Sequence, residues 1–460
     1  MKLQTIRAEM PPMLQLAIPL ILAELGWMSM GIIDTVMVGH LPNSAVSLGA
    51  AALGQVFFHA LAFGIGGMLL GLDTVLSQAF GGKRIDDANR SLQHGVILAA
   101  ALTIILMSIV TLMPLGLVRL RMDHDLLART LPFLNALNWS TPPLLLWMVL
   151  RRYLQAFNHV RSIALTLVSA NLINILGNWL FIYGHHWSLT LGDRSYLIAI
   201  PAYGVTGSGW STMVSRCYQA LFMLAAVIYY DRRHRYGLLR TRFHYEWARL
   251  RELIVIGGPV GAQIFVEIGV FAAVTAVIAT FGPLPLAGHQ IALDCASFTF
   301  MVPMAISAAT AVRVGQAIGR KDVAGANVAG WSGIALGAGF MLFSSLVFVS
   351  IPRLIAHGFS PNPEVVAAAV PLLYVASAFQ FFDGVQITAT GALRGAGNTK
   401  AGLIAHSVGY WCIGLPIGLL LAFRLHLNAL GLWLGLCIAL ILSASTLMLI
   451  WRKTTHTLTV

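Results

Sequence analysis

The sequence predicts an all-α integral membrane protein of twelve transmembrane helices in two pseudo-twofold-related six-helix bundles. Three observations carry that prediction. Of the 460 residues, 58% are hydrophobic and only 10% are charged, whereas a soluble domain carries about 25% charged residues. Apolar runs long enough to span a bilayer, about 20 residues each, recur along the whole chain. Polar loop motifs from the first half return in the second half at a near-constant offset.

The runs fall near residues 13–38, 48–76, 92–116, 126–150, 162–183, 205–230, 252–281, 287–311, 328–351, 365–392, 401–422 and 430–450. They are far too long for the roughly ten-residue alternating strands of a membrane barrel. The first run exceeds the 7–15 apolar residues of a signal peptide and lacks a small-residue cleavage site, so it is read as a retained span. Basic residues set the orientation. With the amino terminus in the cytoplasm, about 22 Lys and Arg residues fall on the cytoplasmic side. About six fall on the other: Arg119, Arg121, Arg129, Arg194, Arg353 and Arg424. Both termini are then cytoplasmic, and the net charge of +12 follows from the asymmetry. The basic segment 231–251 reads as topology and anionic-lipid contact rather than nucleic-acid binding. The four cysteines, Cys217, Cys295, Cys412 and Cys437, lie inside apolar runs without metal or disulfide spacing and read as structural thiols.

The repeat is read from polar residues, which align less easily by chance than apolar ones. Gln78-Ala79-Phe80-Gly81-Gly82-Lys83 is echoed by Gln316-Ala317-Ile318-Gly319-Arg320-Lys321. Ala88-Asn89 returns as Ala326-Asn327, and Pro19 as Pro259. Leu154-Gln155-Ala156 before Asn158 matches Leu393-Arg394-Gly395 before Asn398. The offset is about 240 residues and falls to about 224 where 204–207 faces 428–431. One polar insertion near 185–200 accounts for the shift. The expected organisation is an N-terminal six-helix bundle (1–230), a basic cytoplasmic linker (231–251) and a C-terminal six-helix bundle (252–460). Six spans per unit make the repeat parallel, an architecture used by alternating-access transporters.

Acidic residues inside spans are the candidates for chemistry. A carboxylate at the bilayer centre costs roughly 2.5–3.5 kcal/mol on insertion scales, and such residues mark ion or substrate paths. Asp34 lies in span 1, Glu267 in span 7 and Asp383 in span 10. The repeat does not superimpose them: Asp34 aligns with Val274 and Glu267 with Trp27. A carboxylate in a partly dry cavity either exchanges a proton or holds a hard cation. Competition between that ion and a cationic substrate is the simplest antiport. Sodium and proton both remain open. The structural alternative for each acid is a buried carboxylate satisfied by a neighbouring donor. Asn174 and Asn178 in span 5 are four residues apart and share one face, either lining a polar cavity or bonding between helices. Glu24, Asp73 and Asp294 are secondary candidates, with Arg216 in span 6 as the expected countercharge of one acid. Pro19 and Pro259 can bend the opening helix of each half. Glycines near 64–67 and 333–337 suit close helix packing. Phe57, Phe58, Phe298, Phe300, Phe381 and Phe382 are an aromatic wall for flat cations or ordinary packing. No metalloprotease, Walker A or nucleophile-elbow motif occurs, and His289 has no partner at metal-ligand spacing. The reading is of a transporter, not an enzyme, with no cofactor or metal beyond a coupling ion.

The chain resembles the multidrug and toxic compound extrusion family, in its NorM-type branch, over essentially its whole length. The stretches that carry the resemblance are Ile33-Asp34-Thr35-Val36-Met37-Val38-Gly39, Gly288-His289-Gln290-Ile291-Ala292-Leu293, Phe300-Met301-Val302-Pro303-Met304 with Arg313-Val314-Gly315, and Ala392-Leu393-Arg394-Gly395. The resemblance implies a central cavity of alternating access in the bacterial inner membrane. It implies export of small organic cations in exchange for Na+ or H+, by a chain that functions as a monomer. Its acidic positions match Asp34, Glu267 and Asp383, and its asparagines match Asn174 and Asn178. Asp294 stands where an asparagine is expected, Glu24 is an additional acid, and Arg216 is less usual. These departures bear on the ion preference. A flippase for a lipid-linked or polyanionic substrate is the alternative on a related scaffold. It calls for a cavity rich in Arg and Lys.

Overall fold

The computed structural model describes residues 3–42, 44–117, 124–191 and 194–458. Lys2, Arg119 and Arg121, counted in the charge asymmetry, lie outside the described residues. The first half comprises α1 (Leu3–Gly39), α2 (Ser44–Gly66), a 3-10 segment (Gly67–Gly71), α3 (Leu72–Gly81), α4 (Ile85–Leu117), α5 (His124–Trp139), α6 (Thr141–Ala156) and α7 (Val160–Tyr183). A hairpin of β1 (His185–Leu191) and β2 (Arg194–Ile200) precedes α8 (Val205–His234). The second half holds α9 (Trp247–Ala279), α10 (Pro283–Gly319), α11 (Val323–Ser350), α12 (Pro352–Phe359) and α13 (Pro363–Gly395). It closes with α14 (Lys400–His406), a π-helical segment (Ser407–Gly414), α15 (Leu415–Phe423) and α16 (Asn428–Leu458).

Among the described residues, eleven helices are long and apolar enough to cross a membrane. The predicted span 126–150 is instead divided into α5 and α6, of 16 residues each. The division falls at Ser140, whose hydroxyl bonds back to the Leu137 carbonyl. Pro142 and Pro143 then open α6 at the position where a missing N–H costs nothing. The prolines of α1 and α9 leave both helices continuous. The polar insertion forms the antiparallel hairpin, paired from His185–Ile200 to Leu191–Arg194.

The burial pattern is that of a protein in lipid. Large apolar side chains such as Ile104, Leu115, Leu172, Leu221 and Leu449 point outward, where acyl chains solvate them. The inter-helix contacts use small residues, because lipid supplies no hydrophobic drive and association relies on close packing. A Cβ at Gly71 would meet the Gly257 backbone at 2.8 Å, and one at Gly257 the Met68 carbonyl at 2.0 Å. The 3-10 segment of the first half therefore lies directly against α9 of the second.

The repeat is visible in the backbone. Lys83, Asn158, Lys321 and Gly397 all adopt the left-handed conformation, each just past a helix end. Paired backbone bonds close the four turns: Arg84 N–H to Ala79 O, His159 to Leu154, Asp322 to Ala317, and Asn398 to Leu393. These C-caps occupy matching positions of the two copies. The connection between halves is shorter than the basic segment 231–251, since α8 continues to His234 and α9 starts at Trp247. It is pinned to the first half. The Asn89 amide donates to Tyr236 O at 2.9 Å, Tyr153 donates to Asn89 Oδ1 at 2.8 Å, and Asp231 accepts the Leu238 N–H at 2.7 Å.

Candidate functional site

Two carboxylate clusters form, one in each half. In the first, α1 presents Asp34 to α7 and α8. Asn174 and Asn178 lie one turn apart on α7, and both amide nitrogens reach Asp34 Oδ1, at 3.0 and 2.6 Å. Thr212 of α8 donates to Oδ2 at 3.2 Å. Asn178 also donates to Asn174 Oδ1 at 3.2 Å, so the two amides orient each other. The approach depends on small residues: a Cβ at Gly177 would meet Ser211 Oγ at 2.6 Å, and one at Gly207 the Phe181 carbonyl at 2.3 Å. Ser211 in turn donates to the Asn174 carbonyl at 2.9 Å. Asp34, Asn174, Asn178 and Thr212 are all buried. An ionised carboxylate only accepts hydrogen bonds, and here it meets three donors. Two donors meet Oδ1 and one meets Oδ2, so one lone-pair site of Oδ2 is left open.

The second cluster joins α9, α13 and the π-helical segment. Glu267, Asp383 and Tyr410 lie within electrostatic range of one another. His406 Nδ1 lies 3.7 Å from Glu267 Oε2. The ring's Nε2 meets the Gln386 side-chain amide. With that amide nitrogen donating, the imidazole proton sits on Nδ1, facing Glu267. His406 closes α14, and the backbone then opens into the π-helix from Ser407. Widened turns of this kind are frequent at functional sites. Among the described residues, Asp383 has no hydrogen bond or ion pair, and no Lys or Arg lies within ion-pair distance of Glu267. Among the described residues, no Lys or Arg balances the two carboxylates.

The secondary candidates have other roles. Glu24 is paired with Arg151, and both are buried. Asp73 is paired with Arg152 at 3.3 Å and Arg394 at 3.7 Å. Asp294 is half-buried and accepts from Gln290 at 2.8 Å. The expectation that Arg216 pairs with an acid is corrected. Its guanidinium donates to Ser140 Oγ at 2.5 Å, contacts His59 Nε2 at 3.4 Å, and lies over the Phe58 and Trp27 rings at 5.0 and 5.7 Å. Aromatic faces and neutral acceptors occupy its contact distance, and the nearest acid acting on it, Asp34, lies beyond ion-pair distance. The six phenylalanines form no single wall. Phe381 and Phe382 touch, Phe58 lies beneath Arg216, and Phe298 is half exposed. His289 is a structural residue, accepting from Trp433 Nε1 at 3.0 Å and bonded to Thr275 at 2.8 Å.

Sequence reasoning missed Thr212, His406, Gln386 and Tyr410. Thr212 and Gln386 are uncharged and carry no motif. His406 and Tyr410, four residues apart, are the one detectable signal: polar groups at helical spacing inside an apolar run.

The MatE family model matches residues 19–180 and again 259–420, with the same offset at both ends. The chain belongs to the MatE family. MatE relatives align along nearly its full length. The probable multidrug resistance protein NorM of Mesorhizobium japonicum is 31% identical over 97% of this chain and 94% of its own. Multidrug resistance protein NorM of Photobacterium profundum is 29% identical over 97% and 95%. Among solved structures, a multidrug resistance MATE family transporter in an outward-facing conformation superposes with a TM-score of 0.87 at 18% identity, covering 99% and 98% of the two chains. A eukaryotic MATE transporter gives 0.85 at 20%, covering 99% of each. The fold is therefore that of MatE transporters, a multi-pass all-α membrane fold.

Proposed function

We propose that this protein is a secondary active multidrug exporter that exchanges small organic cations for sodium ions or protons by alternating access. The observation that carries the reading is the Glu267–Asp383 pair. It joins a buried carboxylate, Asp383, to a partly buried one, Glu267, with no Lys or Arg among their described partners. Such a pair demands a cation, and a hard cation or a proton serves. A substrate cation that claims the same charge displaces the ion, so the two cross in opposite directions. Asp34, with its Asn174, Asn178 and Thr212 donors, forms a second charge-binding point in the other half. The names of the NorM relatives support multidrug substrates.

The positive-inside asymmetry supports a bacterial inner-membrane protein with both termini in the cytoplasm. A single chain supplies both halves of the path, so the monomer suffices. Arg151, Arg152 and Arg394 are engaged with acids. Of the described buried arginines only Arg216 has no acid within ion-pair distance, and Asp34 acts on it from farther away, which favours a cationic over a polyanionic substrate.

The test is ethidium efflux from preloaded, exporter-deficient cells, with and without sodium, beside Asp383→Asn. Efflux that sodium accelerates and the substitution abolishes supports sodium coupling. Sodium-independent efflux that collapses with the proton gradient supports proton coupling. No efflux above the empty vector, with protein confirmed in the membrane, overturns cation export.

A further inference from the structure

The two halves make the same contact with each other twice, by residues that correspond in the repeat. Gln78 Nε2, at the end of α3, donates across to the Gly395 carbonyl of the second half at 3.0 Å. Its counterpart Gln316, at the end of α10, donates to the Ala156 carbonyl of the first half at 2.9 Å. Ala156 and Gly395 are themselves counterparts in the repeat.

Close packing repeats with the same symmetry. A Cβ at Gly81 would lie 2.1 Å from the Gln316 carbonyl, and one at Gly319 would lie 2.1 Å from the Gln78 carbonyl. No side chain fits at either glycine while the halves are in this contact. Ser77 is wholly buried beside them, its Oγ 2.0 Å from where a Gly315 Cβ would lie.

Charged ties break the symmetry, among them the bidentate pair of Glu9 in α1 with Arg313 in α10. Asp73 of α3 holds Arg394 of α13 at 3.7 Å, and Thr74 donates to the Arg394 carbonyl at 2.5 Å. The corresponding place in the other copy carries a neutral bond, from Gln155 to the Ala308 carbonyl at 3.4 Å.

We infer that this paired contact is a two-fold latch that seals one face of the central cleft. Gln78 and Gln316 hold it, and Gly81 and Gly319 make it possible. Its release is required for the cleft to open on that face. Every latch residue sits beside the turns at Lys83, Asn158, Lys321 and Gly397. On the topology proposed above, on which the sidedness of the latch rests, this is the cytoplasmic face. The rate at which cytoplasmic substrate is admitted is then set by the breaking of a few neutral hydrogen bonds and of the ion pairs Asp73–Arg394 and Glu9–Arg313. Hydrogen bonds are individually modest, so the latch opens thermally, and the equilibrium is sensitive to single substitutions.

The experiment places a thiol at Ser77→Cys, with the four native cysteines replaced, in the full-length protein in membrane vesicles. Labelling by an impermeant maleimide is followed in inside-out and right-side-out preparations. Slow labelling is expected with the latch intact. Gln78→Ala with Gln316→Ala is expected to raise the rate on the order of tenfold or more. Gly81→Ala or Gly319→Ala is expected to do the same by wedging the contact, although alanine favours each helix on its own. Unchanged labelling in both sets, with protein monodisperse after extraction, overturns the latch. Acceleration confined to the right-side-out preparation supports the latch and overturns the proposed topology instead. Loss of ethidium efflux has no bearing on this readout, so failure of the cation-export reading is seen separately.

Discussion

Asn178 donates a 2.6 Å hydrogen bond to Asp34 Oδ1, tying α7 to the one acid of the first half's cluster. The carboxylate also receives Asn174 and Thr212, and the Arg216 guanidinium acts on its charge from beyond ion-pair distance. The second half's pair, Glu267 and Asp383, is held more loosely.

Asp34→Asn removes the charge but keeps an acceptor oxygen for two of the three donors. The substitution is expected to reach the membrane normally and to cost about 1–2 kcal/mol of stability. Ethidium efflux is expected to fall by roughly tenfold or more, about 1.4 kcal/mol. Efflux and thermal melting in detergent check both parts. Unimpaired efflux would remove Asp34 from the transport path.

Glu267→Gln and Asp383→Asn are each expected to abolish efflux, because the remaining carboxylate no longer has a partner with which to hold a cation. His406→Gln touches the same cluster without removing an acid. It is expected to change the dependence of the rate on sodium or pH more than the maximal rate. Rates measured across a sodium series and a pH series separate the two effects.

The buried pair Glu24–Arg151 is structural on this geometry. Removing one partner leaves an uncompensated buried charge, at a cost of about 3–5 kcal/mol. Glu24→Met alone should therefore lower the melting temperature strongly. Glu24→Met with Arg151→Met should restore most of it. A double variant no more stable than the single would refute the pairing.

The connection between halves is anchored at Asn89. Asn89→Ala removes the bonds to Tyr236 O and Thr241 Oγ1 and is expected to free the segment around Arg240 and Arg242. Limited trypsin digestion of inside-out vesicles should cut there several-fold faster than in the parent, consistent with the low cost of opening a loop held by few bonds. Equal cutting would show that other contacts hold the segment.

At the start of α7, His159 stacks on Tyr230 and bonds Tyr236 at 3.0 Å. Burial, with His234 nearby, lowers its pKa from 6.5 to about 4. Between those values the unfolded chain takes up a proton that the folded chain refuses. Stability from this site is therefore full above pH 6.5 and is lost as pH falls towards 4. Melting temperatures at pH 7 and pH 5 should differ less for His159→Gln than for the parent.

The sequence by itself determined the membrane class, the paired architecture and the positions of the buried acids. These follow from properties that each residue carries alone. Apolar runs must cross lipid, and carboxylates within them are costly enough to be informative. The polar loop motifs of the two copies were legible for the same reason. Gln78 and Gln316, Lys83 and Lys321, sit where a helix must end, and that requirement is local. Tertiary structure alone decided the partners. Arg216 reads as a countercharge, yet it lies among Ser140, His59, Phe58 and Trp27. Asp73 reads as a possible ion site, yet it ties α3 to α6 and α13. The break at Ser140, the π-helix after His406, and the roles of Thr212 and Gln386 were likewise invisible. Each depends on which helix face meets which neighbour. Helix rotation in lipid is set by small-residue packing between distant segments rather than by any periodic pattern within one.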